Sequence, residues 1–309
     1  MPSGRFAFRG FGLLFSVCCW RGSGSTPEAK SWFKGGEGGM NEVRHYVTVF
    51  GYYAKLAIQR QLEYPLFLVS WLLMIPTQYF TGIWMLKIIV DRFQPLSGWG
   101  FHDLAFLYGL GLLSHGLVVV FFIPTWGTEF AVLRGEFDRL LLRPMNVFFQ
   151  FVTGYFNFIG LIDLIPGVVI FIYAANLVGF DWGIGNLLKL ALVVIGGTLI
   201  RASLYTIIGA VAFWTKRSRN LIFMAVATME RTTMYPLTLY PQAIQAVLTF
   251  LLPIGFISFY PAEQFLDKST SLELPLGLAI WTPVVGLIFF ALAYAVFRFG
   301  LQKYESAGS

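Results

Sequence analysis

From residue 65 onward the chain alternates long apolar segments with short charged connections, a pattern that predicts membrane-crossing helices. Six segments stand out against the roughly 20 residues needed to cross about 30 Å of hydrocarbon. They run at 65–86, 104–123, 151–177, 187–214, 220–236 and 276–298. The fifth is short and carries Glu230 and Arg231. Between the fifth and sixth lies 236–261, apolar but punctuated by Pro236, Pro241, Pro253 and Pro261. Prolines at that density disfavour a straight span. The expected form is a re-entrant helical hairpin before the last span, entering the outer leaflet and returning, buried against protein.

Ahead of the spans the period changes. Val43, Val47, Phe50, Ala54, Ala57 and Ile58 share one helix face, with Arg44, Lys55, Gln59 and Glu63 on or near the other. This predicts an amphipathic helix over 40–64 lying in the membrane interface, its basic face toward headgroups. A solvated cytoplasmic helix is the alternative. Residues 1–39 hold Arg5, Arg9, a short apolar run from Phe11 to Val17, and a Gly/Ser-rich stretch leading to Met40. A mis-assigned start, with Met40 the true one, is the preferred reading; a disordered leader or a targeting signal is the other. Bulky Val17 before Cys18 argues against signal cleavage. The remaining organisation is a transmembrane domain over 65–299 and a cytoplasmic tail over 300–309.

Composition narrows the class. Only 12% of residues are charged and 57% are hydrophobic, where a soluble domain carries about 25% charged residues. A soluble enzyme and a disordered or nucleic-acid-binding chain are excluded, despite a pI near 9.3. The net charge of +6 is read as basic loops facing an anionic membrane surface. Cys18 and Cys19 are adjacent, so they offer no disulfide framework. After Met40 one side of the predicted topology holds eleven basic residues: Arg44, Lys55, Arg60, Arg134, Arg139, Arg143, Lys216, Arg217, Arg219, Arg298 and Lys303. The other holds three, Lys87, Arg92 and Lys268, while Lys189, Arg201 and Arg231 fall in or at the edge of spans. The positive-inside rule then puts both termini in the cytoplasm of a multi-pass protein of the cell (inner or plasma) membrane. The fold class is all-α integral membrane, with six transmembrane helices and an N-terminal interface helix.

Catalytic chemistry is missing from the pattern. No phosphate-binding G-x-x-x-x-G-K-[ST] occurs, and Gly109 and Gly111 sit inside a span, where glycine serves helix packing. His45, His102 and His115 have no metal-ligand spacing. No cofactor is expected on this chain, and any uphill transport must draw on a partner or an ion gradient. Four charges fall within predicted spans: Asp163, Arg201, Glu230 and Arg231. At about 1.5 Å per residue they reach similar depths of roughly 15–20 Å. An unpaired charge there costs about 2.5–3.5 kcal/mol on insertion scales, so a neutral polar layer is expected, with Asp163–Arg201 the favoured pair. It either holds helices together or lines the pathway.

One loop combines charge with helix signals: Glu129 to Met145, containing Arg134-Gly135-Glu136-Phe137-Asp138 and Arg139-Leu140-Leu141-Leu142-Arg143-Pro144. This segment resembles the coupling segment of ABC-2 type permeases, the membrane subunits of ATP-binding-cassette exporters. The proline-punctuated stretch Tyr235-Pro236, Tyr240-Pro241, Leu252-Pro253 and Tyr260-Pro261 is similar to the region before the last span in that family. The resemblance covers about residues 40–300. It implies a half-transporter that pairs with a second permease, identical or paralogous, and is driven by separate ABC ATPase subunits that use the ATP. It places the ATPase-coupling loop on Arg134, Gly135, Glu136, Asp138, Arg139, Arg143 and Pro144. The competing reading is an ion-gradient-driven secondary transporter or channel, for which Asp163 and Glu230 are available at mid-membrane.

Overall fold

The computed structural model describes residues 39–93, 96–154, 156–268 and 278–305. The stretch over 1–38, with its alternative readings, lies outside them. The chain divides at Thr48/Val49 into two units, and the contacts below belong to the second. All regular structure among the described residues is helical: α1 Gly39–Leu62, α2 Pro65–Phe93, α3 Phe101–Phe121, α4 Thr128–Leu133, α5 Glu136–Leu141 and α6 Val147–Thr153. There follow α7 Gly160–Leu177, α8 Ile184–Ala210, α9 Ala212–Thr215, α10 Arg219–Thr232, α11 Gln242–Ala246, α12 Phe259–Phe265 and α13 Leu278–Gln302.

Five helices are long and apolar enough to cross a membrane: α2, α3, α7, α8 with α9, and α13. A sixth candidate is the segment pair Gln242–Leu251 and Ile254–Phe265, bent by 76°. Pro253 sits at the bend, where it removes a backbone donor and crowds the preceding turn. The predicted fifth span is a different object. It is the 14-residue α10, about 21 Å long at the α-helical rise and short of a full crossing. The predicted third span is also divided. α6 ends at Thr153 and α7 starts only at Gly160. At Gly160 a Cβ would lie 2.7 Å from the Val120 nitrogen, so only glycine admits this junction.

α3 is the central helix. It is apolar on every face and buried over nearly its whole length, the signature of a helix enclosed by others. α7 lies along it where Cβ atoms are missing: a Cβ on Gly109 would stand 2.7 Å from the Phe171 Cα, and one on Gly116 2.9 Å from the Leu164 Cα. α8 runs beside α13 by the same device. A Cβ on Gly196 would meet the Pro283 nitrogen at 2.6 Å, and one on Gly286 the Gly196 oxygen at 2.7 Å. Small residues let backbones approach where lipid supplies no hydrophobic drive for association. The outward faces keep large apolar side chains, such as Leu73 and Trp84 on α2 and Leu287 and Ile288 on α13.

In α1 the stripe that turns inward is Phe50, Tyr53, Ala54, Ala57, Ile58 and Gln61, with Ala57 buried. Phe50 meets Phe156 at 5.6 Å between ring centroids, and the Gln61 amide donates to Asn157 at 3.2 Å. The predicted apolar stripe is therefore a protein contact over its second half.

Candidate functional site

The loop after α3 is a rigid plate. Gly135 stands at φ +65° between α4 and α5, a left-handed conformation that glycine adopts without strain. Two residues on, Phe137 is fully buried. Its ring lies 5.1 Å from Phe151, 5.1 Å from Phe213, 6.0 Å from Phe297 and 5.7 Å from Tyr304. One side chain thus ties α5 to α6, α9 and the end of α13. Gln150, almost fully buried, donates to the carbonyls of Leu140 (3.2 Å) and Met145 (2.9 Å), which satisfies the open end of α5. Asn146 caps α6 by accepting from the Phe149 amide at 3.1 Å. The opposite surface carries exposed Arg134, Arg139, Arg143 and Pro144, with Leu142 at 87% exposure; Gly135, Glu136 and Asp138 are half-buried.

A second loop joins this plate. The Glu129 carboxylate accepts from the backbone amides of Ser218 (2.5 Å) and Arg219 (2.6 Å), holding the positive end of α10. Arg219 lies over the rings of Phe130 (5.2 Å) and Phe223 (5.4 Å). Sequence reasoning had the Glu129 segment in hand but did not join it to 216–219. The available cue was Ser218 ahead of a helical run, a cap position whose donors need an acceptor.

The four charges of the expected polar layer separate into two situations. Asp163 is buried and accepts from the Tyr79 hydroxyl at 2.7 Å, linking α7 to α2. Arg201 is 1% exposed; its Nη2 donates to Thr233 Oγ1 at 3.2 Å and to the Gly111 carbonyl at 3.4 Å. The favoured pair Asp163–Arg201 does not form: the carboxylate is taken by Tyr79 and the guanidinium by Thr233 and the Gly111 carbonyl. The reason is α3. Gly116 faces Leu164 of α7, while Ser114 faces Gly197 of α8, and two residues on a helix point about 200° apart. α3 therefore stands between the two charges. Glu230 and Arg231 are exposed on α10, with Glu230 in electrostatic reach of Arg201. Tyr79 and Thr233, the actual partners, were legible only as isolated polar atoms in apolar surroundings.

On the far side, the Lys268 ammonium reaches Asp103, the Gly98 carbonyl at 3.1 Å and the Trp99 ring at 5.0 Å. It fastens the end of α12 to the start of α3. Among the described residues no group of His, Cys, Asp or Glu is placed to hold a metal ion.

Residues 48–308 match the family model for the ABC-2 family transporter protein. The chain belongs to the ABC-2 transporter family. No curated protein and no solved structure matches it. Family membership and the long apolar helices make this ABC-2 chain a multi-pass permease of an ABC transport system. Its domain is a transporter domain and not itself a catalytic one, in a family that generally works with an ATP-binding subunit.

Proposed function

We propose that the chain is the membrane-spanning subunit of an ABC exporter, in which two permeases, identical or paralogous, form the substrate pathway and separate ATPase subunits drive it. The observation that carries this reading is α5: a short charged helix presents a solvent face while Phe137 locks its other face to α6, α9 and α13. A movement imposed on Arg139, Leu142 or Arg143 is transmitted to those helices because no soft joint intervenes. ATP stays with the partner.

The topology of this reading is six crossings in the cell membrane, with both termini cytoplasmic. Two contacts support an even number. Arg143 donates to Tyr53 of α1 at 2.8 Å, and Tyr304 beyond α13 packs on Phe137, so the second half of α1 and the segment after α13 both meet the plate. The stretch from Ser218, on the plate, to Lys268, on the far side, supplies the remaining net crossing. α10 rises as far as Thr233, level with Gly111. The bent pair then dips back until the Ile257 carbonyl lies 3.2 Å from a Cβ built on Gly197, and it returns outward to Lys268. That path supports a re-entrant hairpin.

The test is co-expression with a partner ABC ATPase. Glu136→Lys is expected to leave the permease in the membrane but to uncouple ATP hydrolysis from vesicle transport. A cysteine at Arg139 or Leu142 is expected to cross-link to the ATPase. Cross-linking only from 216–219 would place the contact on the other loop, and transport persisting on an ion gradient without ATP would favour the secondary transporter.

A further inference from the structure

We infer that the permease carries a binding site for an anionic phospholipid beside the plate, with one acyl chain in an aromatic pit and the phosphate at Arg143 and Arg298. The pit is an open cleft of about 560 Å³ between Phe50 of α1, Phe121 at the end of α3, Phe149 of α6, Phe156, and Phe290 and Tyr294 of α13. That volume lies within the roughly 300–1,000 Å³ of ordinary ligand pockets. Its walls are braced ring on ring: Phe121 on Phe156 at 6.0 Å, Phe148 on Phe290 at 6.0 Å and Phe148 on Tyr294 at 5.7 Å. The polar groups of the lining are already committed. Thr153 donates to the Phe149 carbonyl at 2.7 Å, and Asn146 donates to the Tyr294 hydroxyl at 2.6 Å. Nothing inside calls for a hydrogen bond. The occupant that fits such walls is a hydrocarbon chain.

The charge at the rim selects the headgroup. Arg143 lies three residues before Asn146, and its guanidinium is steadied by the Tyr53 hydroxyl, one turn along α1 from Phe50. Arg298 follows Tyr294 by four residues, hence on the same face of α13. Both are exposed, and neither is in an ion pair among the described residues. Basic groups at the mouth of an apolar cleft between membrane helices are the chemistry that holds anionic lipid headgroups, and a guanidinium takes a phosphate through paired N–H donors. One lipid would bridge α1, α6 and α13, three elements that meet the plate.

The test uses the full chain in vesicles containing phosphatidylglycerol or phosphatidylcholine, each with a photoactivatable group near the acyl terminus, and maps the adducts. Adducts are expected at Phe149, Phe156 and Phe290, with phosphatidylglycerol preferred about fivefold for each arginine. Arg143→Gln with Arg298→Gln is expected to abolish the preference, and Arg143→Lys with Arg298→Lys to retain most of it. Val152→Phe, which narrows the pit, is expected to remove the adducts while the chain still elutes as a single folded species. Equal labelling by both lipids, labelling of the pit by a cationic amphiphile as efficiently, or adducts only on the outward faces of α2 and α13 would each overturn the proposal. The measurement needs neither ATPase nor transport, so its failure leaves the exporter reading untouched, and the converse holds.

Discussion

Phe137 carries more of the plate than any charge around it. Its ring contacts four aromatic side chains from three neighbouring elements, so truncation leaves a cavity that none of them can fill alone. Phe137→Ala is expected to cost about 3–5 kcal/mol of local stability. Proteolysis of the 134–144 loop in membranes should report it as faster cleavage, alongside weakened ATPase coupling. Phe137→Leu should keep most of the packing and lie in between. Asp163 makes a sharper case. Tyr79→Phe removes the hydrogen bond that its buried carboxylate accepts and should cost about 1–3 kcal/mol, read in a detergent melting curve. Asp163→Asn with Arg201→Gln should show additive losses, because α3 separates the two. The charges themselves were plain in the sequence, since an ionised residue in an apolar run is conspicuous. Their partners were not: a tyrosine hydroxyl and a threonine carry no charge signal, and which face of α3 lies against which helix is a packing outcome.

Elements were legible in proportion to how far local chemistry alone decides them. The spans at α2, α3, α8 and α13 follow from apolar length. The shortened α7 does not, because a contact made elsewhere trims it, Gly160 against Val120; nor does the start of α10, whose first amides Glu129 holds from across the chain. That cap is testable. Glu129→Gln keeps the acceptor oxygen and loses the charge; Glu129→Ala loses both. The second substitution should cost about 1–2 kcal/mol, as lost caps do, and the first less. Hydrogen exchange at Ser218 and Arg219 is the measurement, with protection falling in the order wild type, Gln, Ala. Equal exchange in all three would mean that α10 is held by its packing on α8 and not by this carboxylate. The amphipathic pattern of α1 was readable too, but periodicity cannot tell lipid from protein as the surface its apolar stripe meets.

At the scale of the whole molecule the proposed topology rests on which ends meet the plate, and that can be checked without a transport assay. Single cysteines placed in a Cys18→Ser, Cys19→Ser background can be labelled with a membrane-impermeant maleimide in intact cells and again after permeabilisation. Cysteines at Lys216 and Glu305 lie on the plate side and should label only after permeabilisation. Cysteines at Gly179 and Asp267 lie beyond the opposite ends of α7 and α12 and should label in intact cells. The bent pair is the decisive element. If it dips and returns, a cysteine at Gln242 and one at Asp267 should both label from outside, while one at Ile257, buried against α8, should resist from either side. If the pair is instead one crossing, Gln242 should label only after permeabilisation and Asp267 in intact cells. In that case α10 would end on the cytoplasmic side, and Thr233 could not stand level with Gly111 at the middle of α3. The hydrogen bond from Arg201 to Thr233 and the labelling pattern therefore depend on the same path of the chain. Loss of outside labelling at Gln242 would remove the re-entrant hairpin, and with it the route by which the proposed topology carries Glu230 and Arg231 toward the bilayer.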